Sequence, residues 1–482
     1  MAQDSISFTA PEYQADGSFR PVPYVFARRS GGWDILRDGV LHEQVGTGYV
    51  AVRSEICGIC STDLARRFLP YPLPQIIGHE VLGRHEGRRV VVEINASHAA
   101  RGLATECGFC NGGMPSQCPE RITLGINRLP GGFAPWFLAP EKALLPVPET
   151  LPSAVAALTE PFAATLQALQ VNPPRAGQEV AVLGPRRLGM LLIGALAARR
   201  RRSGGDFRIH ALVRHGELED LCRRLGADSV SRTDQAGLPA NRFDLVFDTT
   251  GNPDGLEEAI RLSRGPVHLK STHGRGAMGM DQLTALVVDE LALLPWQPDA
   301  PLLTQDDAGW FRAPASILVD RALGDGFLRE LQARHPRCFF HAGDPADAGV
   351  IRALPRDSPL PRYDGAIVQG AAAADRCIRP DPAEEFSPVR PRGAILMVPS
   401  PASDHPMEKW LSRPGSGLYS SRCGPFAQAL ALLAGDEELC RVLADEFITS
   451  VQPAGEIGPA FALAADSSKS LKILINTEHQ GL

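Results

Sequence analysis

Three short stretches organise this chain: C-G-I-C-S-T-D at residues 57–63, P-Q-I-I-G-H-E at residues 74–80 and T-E-P-F-A-A-T at residues 159–165. They contain Cys60, His79 and Glu160, whose thiolate, imidazole and carboxylate groups are zinc ligands. A catalytic zinc takes three protein ligands and keeps one position open, and ligands from separated segments suit such a site. The plainer alternative is a small buried cysteine and an ordinary core histidine. The three stretches together favour the metal.

Several motifs resemble one enzyme family. G-H-E at residues 78–80 and E-P at residues 160–161 resemble the metal segments of the zinc-dependent medium-chain dehydrogenase/reductases, which include alcohol, sorbitol and threonine dehydrogenases. The likeness returns in N-R-L-P-G-G-F-A-P-W-F at residues 127–137 and S-R-C-G-P-F at residues 421–426. The resemblance implies an α/β protein with a chaperonin-10-like, β-rich catalytic domain and a doubly wound, Rossmann-type parallel sheet.

The same resemblance implies a role for each residue around the metal. Three residues would hold a catalytic zinc: Cys60, His79 and Glu160. Glu80 would exchange with water as an alternate ligand, and Thr62 would pass the proton of the substrate hydroxyl toward solvent. Asp63 would hold the far nitrogen of His79 and so fix its tautomer. Many family members carry a histidine five residues after the metal cysteine, but this chain has Ala65, so the proton relay would end differently or in water.

The composition is that of an ordinary soluble protein, with 44% hydrophobic and 22% charged residues. A chain of 482 residues exceeds a single hydrophobic core and indicates several domains. The net charge of −6 argues against a nucleic-acid partner. The N-terminus lacks the apolar core of a signal peptide, and the longest apolar run, residues 190–198, is too short to span a bilayer. Ten cysteines in this length are not a disulfide framework, so we expect a reduced, cytoplasmic protein without a membrane partner.

A second cysteine cluster lies within the β-rich part. Its members follow the spacing C-x2-C-x7-C: Cys107, Cys110 and Cys118. The family usually carries a fourth cysteine here, and this chain has Ala104 in its place. His98 is the substitute that we expect to complete a structural zinc site, because a Cys3His site is chemically ordinary. Glu106 is a weaker candidate, and a vacant site with three free thiols is the equal alternative.

The turn after the first strand of the second part is the expected dinucleotide site. G-P-R-R-L-G at residues 184–189 follows a short apolar strand and precedes a long apolar helix. Gly184 and Gly189 match the first and third glycines of a G-x-G-x-x-G turn, with Leu188 beside them. Arg186 replaces the middle glycine, so its side chain would either obstruct the phosphates or pair with one. A nicotinamide cofactor is predicted, and the alternative is a cofactor-free remnant of the fold.

The residue after the second strand of this sheet bears on the choice of cofactor. An acidic residue there binds the ribose of NAD, whereas an arginine suits the 2′-phosphate of NADP. Arg214 therefore favours NADP over NAD, with His215 as a candidate second contact. The alternative is that Arg214 is an ordinary solvated surface residue. Four further residues are assigned to the cofactor: Thr250, Ser271, Thr272 and Lys472.

A block of more than one hundred residues interrupts the family pattern. It carries short apolar strands, and R-Y-D-G-A-I-V-Q-G at residues 362–370 parallels R-F-D-L-V-F-D-T-T-G at residues 242–251. We interpret it as a degenerate half of a nucleotide fold, although any two α/β segments can look this alike. The predicted parts are an N-terminal arm (1–22), a zinc-binding catalytic domain (23–165 and 437–482), a dinucleotide-binding domain (166–300 and 416–436) and an inserted α/β subdomain (301–415).

The sequence predicts a zinc-dependent oxidoreductase that transfers a hydride between a nicotinamide cofactor and an alcohol or carbonyl substrate. Two alternatives stay open. One is a zinc-dependent lyase or hydratase without redox turnover, and the other is a non-catalytic binding or assembly protein. A small-molecule substrate is expected, and any homodimer would be altered by the inserted block near the family's usual dimer edge.

Overall fold

The computed structural model describes residues 5–104, 107–234, 237–271, 274–298, 315–345, 347, 362–379, 387–466 and 468–478. Its contacts divide the chain into two units, one of residues 1–163 with 424–482 and one of residues 164–423. The sequence assigned residues 424–436 to the dinucleotide-binding part, whereas their contacts place them in the first unit. Among the described residues, no helix is both long and apolar enough to cross a membrane.

The first unit begins with short strands separated by turns, as its Gly- and Pro-rich sequence predicts. The strands are β1 (Ser5–Tyr13), β2 (Phe19–Arg29), β3 (Gly32–Arg37), β4 (Val40–Val45), β5 (Tyr49–Gly58), β6 (Glu80–His85), β7 (Arg88–Val92), β8 (Asn95–Ala96), β9 (Ile122–Leu124), β10 (Arg128–Leu129), β11 (Trp136–Pro140) and β12 (Leu144–Pro146). The helices are α1 (Ser61–Leu64), α2 (Gly108–Asn111), α3 (Ser153–Ala156) and α4 (Thr159–Val171).

The described N-terminal residues form a sheet rather than the predicted arm. Strands β1 to β4 pair as an antiparallel meander, and β1 runs alongside β2 from Ser5 to Tyr13. Glu12 is fully buried there and accepts hydrogen bonds from Tyr24 Oη at 2.6 Å and from Arg37 Nη2 at 2.7 Å. A buried carboxylate is tolerated when charged and polar donors surround it, so this network holds β1 in place.

The second unit alternates strands with helices. Its strands are β13 (Glu179–Leu183), β14 (Arg208–Val213), β15 (Ser229–Arg232), β16 (Leu245–Asp248), β17 (Val267–Leu269), β18 (Ala292–Pro295), β19 (Ala315–Asp320), β20 (Cys338–Gly343), β21 (Tyr363–Gln369), β22 (Val389–Val398) and β23 (Leu418–Ser420). Its helices are α5 (Arg187–Ser203), α6 (Glu219–Arg224), α7 (Pro253–Leu262), α8 (Leu283–Val288), α9 (Gly324–Arg334), α10 (Gly370–Ile378) and α11 (Pro406–Leu411).

The predicted doubly wound sheet is confirmed. Strands β15, β14, β13, β16, β17 and β23 lie side by side in that order, and all of these neighbours are parallel. The interiors of β14, β13, β16 and β17 are buried, as expected of parallel strands covered on both faces. The order reverses at β13, where the chain passes from one side of the first strand to the other. In open α/β sheets, ligands bind at the carboxyl ends of the strands at such a point.

The inserted block joins this sheet directly, whereas the sequence predicted a separate subdomain. Strand β18 runs antiparallel to β23 and parallel to β22, and the sheet continues through β21, β19 and β20 to eleven strands. The order β20-β19-β21-β22 repeats the order β14-β13-β16-β17 of the first six strands. The unpaired edge of β18 would otherwise leave backbone N–H and C=O groups without partners, and β22 satisfies them.

The chain then completes the first unit. Its last elements are α12 (Phe426–Gly435), α13 (Glu437–Val442), β24 (Ile448–Pro453), α14 (Ile457–Ala465) and β25 (Lys472–Asn476). Strand β25 lies between β5 and β24 in a seven-stranded sheet, so the final strand returns to the β-rich unit as the sequence predicts. The strand therefore brings Lys472 beside β5, whose end leads to Cys60, the cysteine predicted to bind the catalytic zinc.

Candidate metal centre and dinucleotide site

A cluster of metal-binding atoms lies in the first unit. One donor atom each from Cys60, His79 and Glu80 falls within 4.8 Å of the other two. Cys60 caps the start of α1, His79 lies just before β6, and Glu80 is the first residue of β6. His79 and Glu80 are almost fully buried, with 3% and 1% exposure, while Cys60 is half-buried. The donor types are those of a zinc site, so these residues fit the metal.

The backbone before His79 depends on a glycine. Gly78 has φ +100°, and a Cβ atom on it would lie 2.8 Å from the ring of Phe133 and 2.9 Å from Cys57 Sγ. Any other residue would strain the backbone and displace Phe133 or Cys57. Gly78 therefore allows the chain to turn tightly and deliver His79 to the cluster.

Asp63 connects two members of the cluster. Its Oδ2 accepts a hydrogen bond of 2.8 Å from the backbone N–H of Cys60, and its Oδ1 lies 3.4 Å from His79 Nδ1. Burial lowers the pKa of His79, but the negative charges of Asp63 and Cys60 outweigh it and raise that pKa well above its usual value. Neither Asp63 Oδ1 nor His79 Nδ1 has a hydrogen-bond partner of good geometry among the described residues. Asp63 therefore lies beside His79 Nδ1, and its role in fixing the tautomer of a metal ligand stays a prediction.

Lys472 differs from its predicted role. It was assigned to the pyrophosphate, but its ammonium group is 3% exposed, forms an ion pair with Glu80 and donates to the carbonyl of Ile59 at 3.1 Å. A buried ammonium group with these partners cannot reach a phosphate from its position on β25. Lys472 instead neutralises the carboxylate of Glu80 beside the metal cluster, and nothing in the sequence pattern indicated this pairing.

Glu160 and Thr62 occupy helices. Glu160 is the second residue of α4, and the donor group around Cys60 and His79 contains Glu80 in its place. The predicted ligand role of Glu160 therefore stays a prediction. Thr62 is half-buried in α1, two residues after Cys60.

The second cysteine cluster assembles with the predicted histidine. Donor atoms of four residues lie within 4.8 Å of one another: His98, Cys107, Cys110 and Cys118. His98 Nδ1 lies 3.3 Å from Cys118 Sγ and 4.0 Å from Cys110 Sγ, and its Nε2 lies 2.9 Å from Glu120. None of the ten cysteines is in a disulfide. Three thiols and a ring nitrogen facing one point fit a structural zinc, and Glu120 fixes the ring. The weaker candidate Glu106 lies outside the described residues.

The glycine turn of the second unit has the expected geometry. Gly184 follows β13 with φ +68°, and a Cβ atom on it would lie 2.5 Å from Thr250 Cγ2. A Cβ atom on Gly189 would lie 2.5 Å from Thr249 Oγ1. The two glycines therefore let α5 begin close against the end of β16, which is what a dinucleotide turn requires. Arg186 is the N-cap residue of α5 and is half-exposed, as is Leu188.

Comparisons with known proteins agree with these features. Residues 46–149 match the model of the alcohol dehydrogenase GroES-like domain. The (R,R)-butanediol dehydrogenase of Bacillus subtilis is 30% identical over 265 residues, which are 47% of this chain and 71% of that protein. The chain belongs to the zinc-dependent medium-chain dehydrogenase/reductases. An L-threonine 3-dehydrogenase of Anaeromyxobacter dehalogenans is 29% identical over 49% of this chain and 71% of its own length.

Two solved dehydrogenase structures share the fold. A zinc-binding dehydrogenase from Sinorhizobium meliloti bound to NADP has a TM-score of 0.53 and 16% identity over 98% of this chain and 99% of its own. An alcohol dehydrogenase from Escherichia coli CFT073 complexed with NADH has a TM-score of 0.54 and 15% identity over the same shares. At these identities the likeness concerns the fold, and the predicted fold class is confirmed.

The other described residues that were predicted to bind the cofactor lie at the carboxyl ends of the parallel strands. Thr250 follows β16 and is held by Asp248, whose Oδ1 accepts from Thr250 N at 2.9 Å and Thr250 Oγ1 at 2.6 Å. Burial raises the pKa of Asp248 to about 6. Arg214 follows β14 and is exposed, and Ser271 follows β17 by two residues. Thr272 lies outside the described residues.

A buried polar cluster lies at the same end of the sheet, and the sequence analysis gave no role to its histidine, His268. Lys270 Nζ donates to the carbonyls of Ser421 at 2.9 Å and Arg422 at 3.1 Å. His268 lies 2.6 Å from Asn172 Oδ1 and 2.9 Å from Ser421 Oγ, and burial lowers its pKa well below the usual value. These contacts join β17 and the residue that follows it to the segment after β23. A histidine and a lysine within V-H-L-K, otherwise an apolar strand, were the available signal.

Proposed function

We propose that this chain is a zinc-dependent oxidoreductase that exchanges a hydride between a nicotinamide cofactor and an alcohol or its carbonyl form. The observation that carries the proposal is the buried group of Cys60, His79 and Glu80 donor atoms. A zinc ion held there supplies a Lewis acid that polarises the substrate oxygen, and the nicotinamide supplies the hydride acceptor. Glu160 is proposed as a further zinc ligand. It would coordinate the metal while Glu80 remains in its ion pair with Lys472.

The residues around the cluster are proposed to orient the ligands and to transfer the substrate proton. Asp63 holds the backbone N–H of Cys60 and faces the ring of His79, so it orients both ligands. Thr62 accepts the proton of the substrate hydroxyl and passes it toward solvent, because a hydroxyl group is both donor and acceptor. The ring that extends this relay in other family members is missing at Ala65, so the proton moves on to water.

The proposed cofactor is NADP(H), held at the carboxyl ends of β13, β14 and β16. Gly184 and Gly189 allow the pyrophosphate to approach the start of α5, where backbone N–H groups and the helix dipole favour an anion. Arg186, at the N-cap of α5, adds a cation to this turn. Arg214 is exposed and makes no hydrogen bond or ion pair within the described residues, so its charge is available to a 2′-phosphate.

The experiment that tests the proposed function is the reduction of NADP⁺, followed as absorbance at 340 nm, by the zinc-loaded protein with secondary alcohols. Butane-2,3-diol and L-threonine head the panel, because relatives are dehydrogenases of these compounds. Cofactor reduction that disappears in Cys60→Ser is expected. Zinc-dependent loss or addition of water without any change in the cofactor would favour the lyase alternative.

We also propose that the inserted block occupies the edge of strand β18 and so prevents a second chain from pairing with it. Strand β18 pairs with β22 along its whole length and with β23 at Leu293, so both of its sides are engaged within this chain. Any homodimer of this chain then uses another surface. The amides of residues 292–294 are expected to exchange with deuterium slowly and at a rate independent of protein concentration. Protection that increases with concentration would contradict the proposal.

A further inference from the structure

An ion pair lies beside the turn that follows β14. Arg232 ends strand β15 and binds Asp234 with two parallel hydrogen bonds, from Nε to Oδ1 at 3.0 Å and from Nη2 to Oδ2 at 2.6 Å. The side chain of Arg232 is 32% exposed. A bidentate pair of this kind fixes the plane of the guanidinium group, which an isolated surface arginine does not achieve.

The register of the sheet places Arg232 at the end of the predicted cofactor strand. Strands β14 and β15 are parallel, Val213 lies opposite Arg232, and Thr233 N donates to the carbonyl of Val213 at 2.8 Å. A Cβ atom on Gly216 would lie 3.5 Å from Arg232 Nη1. The third nitrogen of the guanidinium group, which Asp234 does not bind, therefore faces the turn that also carries Arg214.

We propose that Arg232 is a residue that determines specificity for the 2′-phosphate of the cofactor, with Asp234 as the residue that positions it. This inference rests on the NADP(H) preference of the proposed function. Asp234 occupies Nε and Nη2, and Nη1 donates to a phosphate oxygen bound in front of the β14 turn. Arg214 provides the second cation from the other side of the same turn.

The acidic residues of this turn set the balance of charge. Glu217 and Glu219 follow it, and together with the hydrogen bond to Asp234, the largest cause, they raise the pKa of Arg232. Asp234 neutralises the positive charge of Arg232. Binding of the dianionic phosphate therefore depends on well-oriented N–H donors as well as on net positive charge. A pre-positioned guanidinium group loses little conformational freedom on binding, whereas Arg214 must be ordered.

The test uses two nucleotides that differ only in the phosphate, adenosine 2′,5′-bisphosphate and 5′-AMP, titrated by calorimetry into the full chain. In Arg232→Gln, the affinity for the bisphosphate is expected to fall about 10- to 100-fold, as for loss of a charge-assisted hydrogen bond. The affinity for 5′-AMP is expected to stay within about twofold. Arg208→Gln is the matched control, because Arg208 is exposed at the opposite, amino end of β14.

The outcomes separate this inference from the proposed cofactor. A wild-type chain that binds both nucleotides equally would overturn the NADP(H) preference and this inference with it. A wild-type chain that prefers the bisphosphate, and keeps that preference in Arg232→Gln but loses it in Arg214→Gln, would overturn the role of Arg232 alone. If Arg232→Gln and Arg208→Gln lose equal affinity for the bisphosphate, Arg232 acts only through the net charge of the chain. That result would also overturn the role proposed for Arg232.

Discussion

Replacing Cys60 with serine is expected to remove one of two zinc ions per chain and to lower the rate of cofactor reduction by about 1000-fold or more. The thiolate is a strong zinc ligand, and serine leaves only two donors of the buried cluster around the open position. His79→Ala is expected to have the same effect, because the ring supplies another donor atom of the same group. The measurement is zinc content per chain by mass spectrometry, together with the initial rate.

The second cysteine cluster provides the matched control. Cys118→Ser is expected to remove the other zinc ion and to lower the thermal midpoint, because Cys118 is fully buried among the ligands of the structural site. The zinc at Cys60 remains in that variant. Two ions retained in both Cys60→Ser and His79→Ala would contradict the catalytic site. An unchanged zinc content in Cys118→Ser would mean that the second cluster is a group of free thiols.

Replacing Lys472 with methionine is expected to lower the free energy of unfolding of the zinc-free first unit by about 3–5 kcal/mol, the usual effect of breaking a buried ion pair. The carboxylate of Glu80 is 1% exposed, and Lys472 is the buried cation that forms an ion pair with it when zinc is absent. The double variant Glu80→Gln, Lys472→Met is expected to recover most of the loss, since it removes both charges. Urea unfolding is followed by pulsed hydrogen–deuterium exchange of the amides of β5, β6 and β25, which belong to this unit.

Lys469→Met is the control for this substitution. Lys469 is 69% exposed and pairs with Asp466 at 3.0 Å, three residues before Lys472 in the same chain segment. A surface pair of this kind contributes less than about 1 kcal/mol. If Lys472→Met and Lys469→Met lower the free energy of unfolding equally, the ion pair with Lys472 does not stabilise the buried carboxylate of Glu80. A double variant less stable than Lys472→Met alone would also contradict the account.

The features that the sequence predicted are those encoded locally. The alternation of strands and helices after Glu160 reflects hydrophobic periodicity, and Gly184 and Gly189 mark a turn by their spacing. The cysteine spacing and His98 fall within one short loop region, so their assembly follows from a few backbone turns. Such signals depend on neighbouring residues and do not require knowledge of what lies across the fold.

The features that the sequence missed depend on distant pairing. Strand β1 exists because β2 pairs with it and because Arg37 satisfies Glu12, so its own composition, with Pro11 inside it, indicated an arm. The inserted block became part of the host sheet because the edge of β18 was available, which no local pattern records. Lys472 meets Glu80 only after the last strand returns to β5. Non-local contacts of this kind cannot be inferred from spacing.

The central claim is that zinc at Cys60 and His79 supports hydride transfer to a nicotinamide, and metal removal tests it most directly. The protein is treated with a chelator, and the NADP⁺ reduction rate is measured before treatment, after it, and after zinc is returned. The account predicts activity that is lost on chelation and restored by zinc in the wild type and, at a reduced level, in Cys118→Ser, but not restored in Cys60→Ser. Cofactor reduction that continues undiminished without zinc, or a zinc-loaded chain that binds neither NADPH nor NADH, would contradict it.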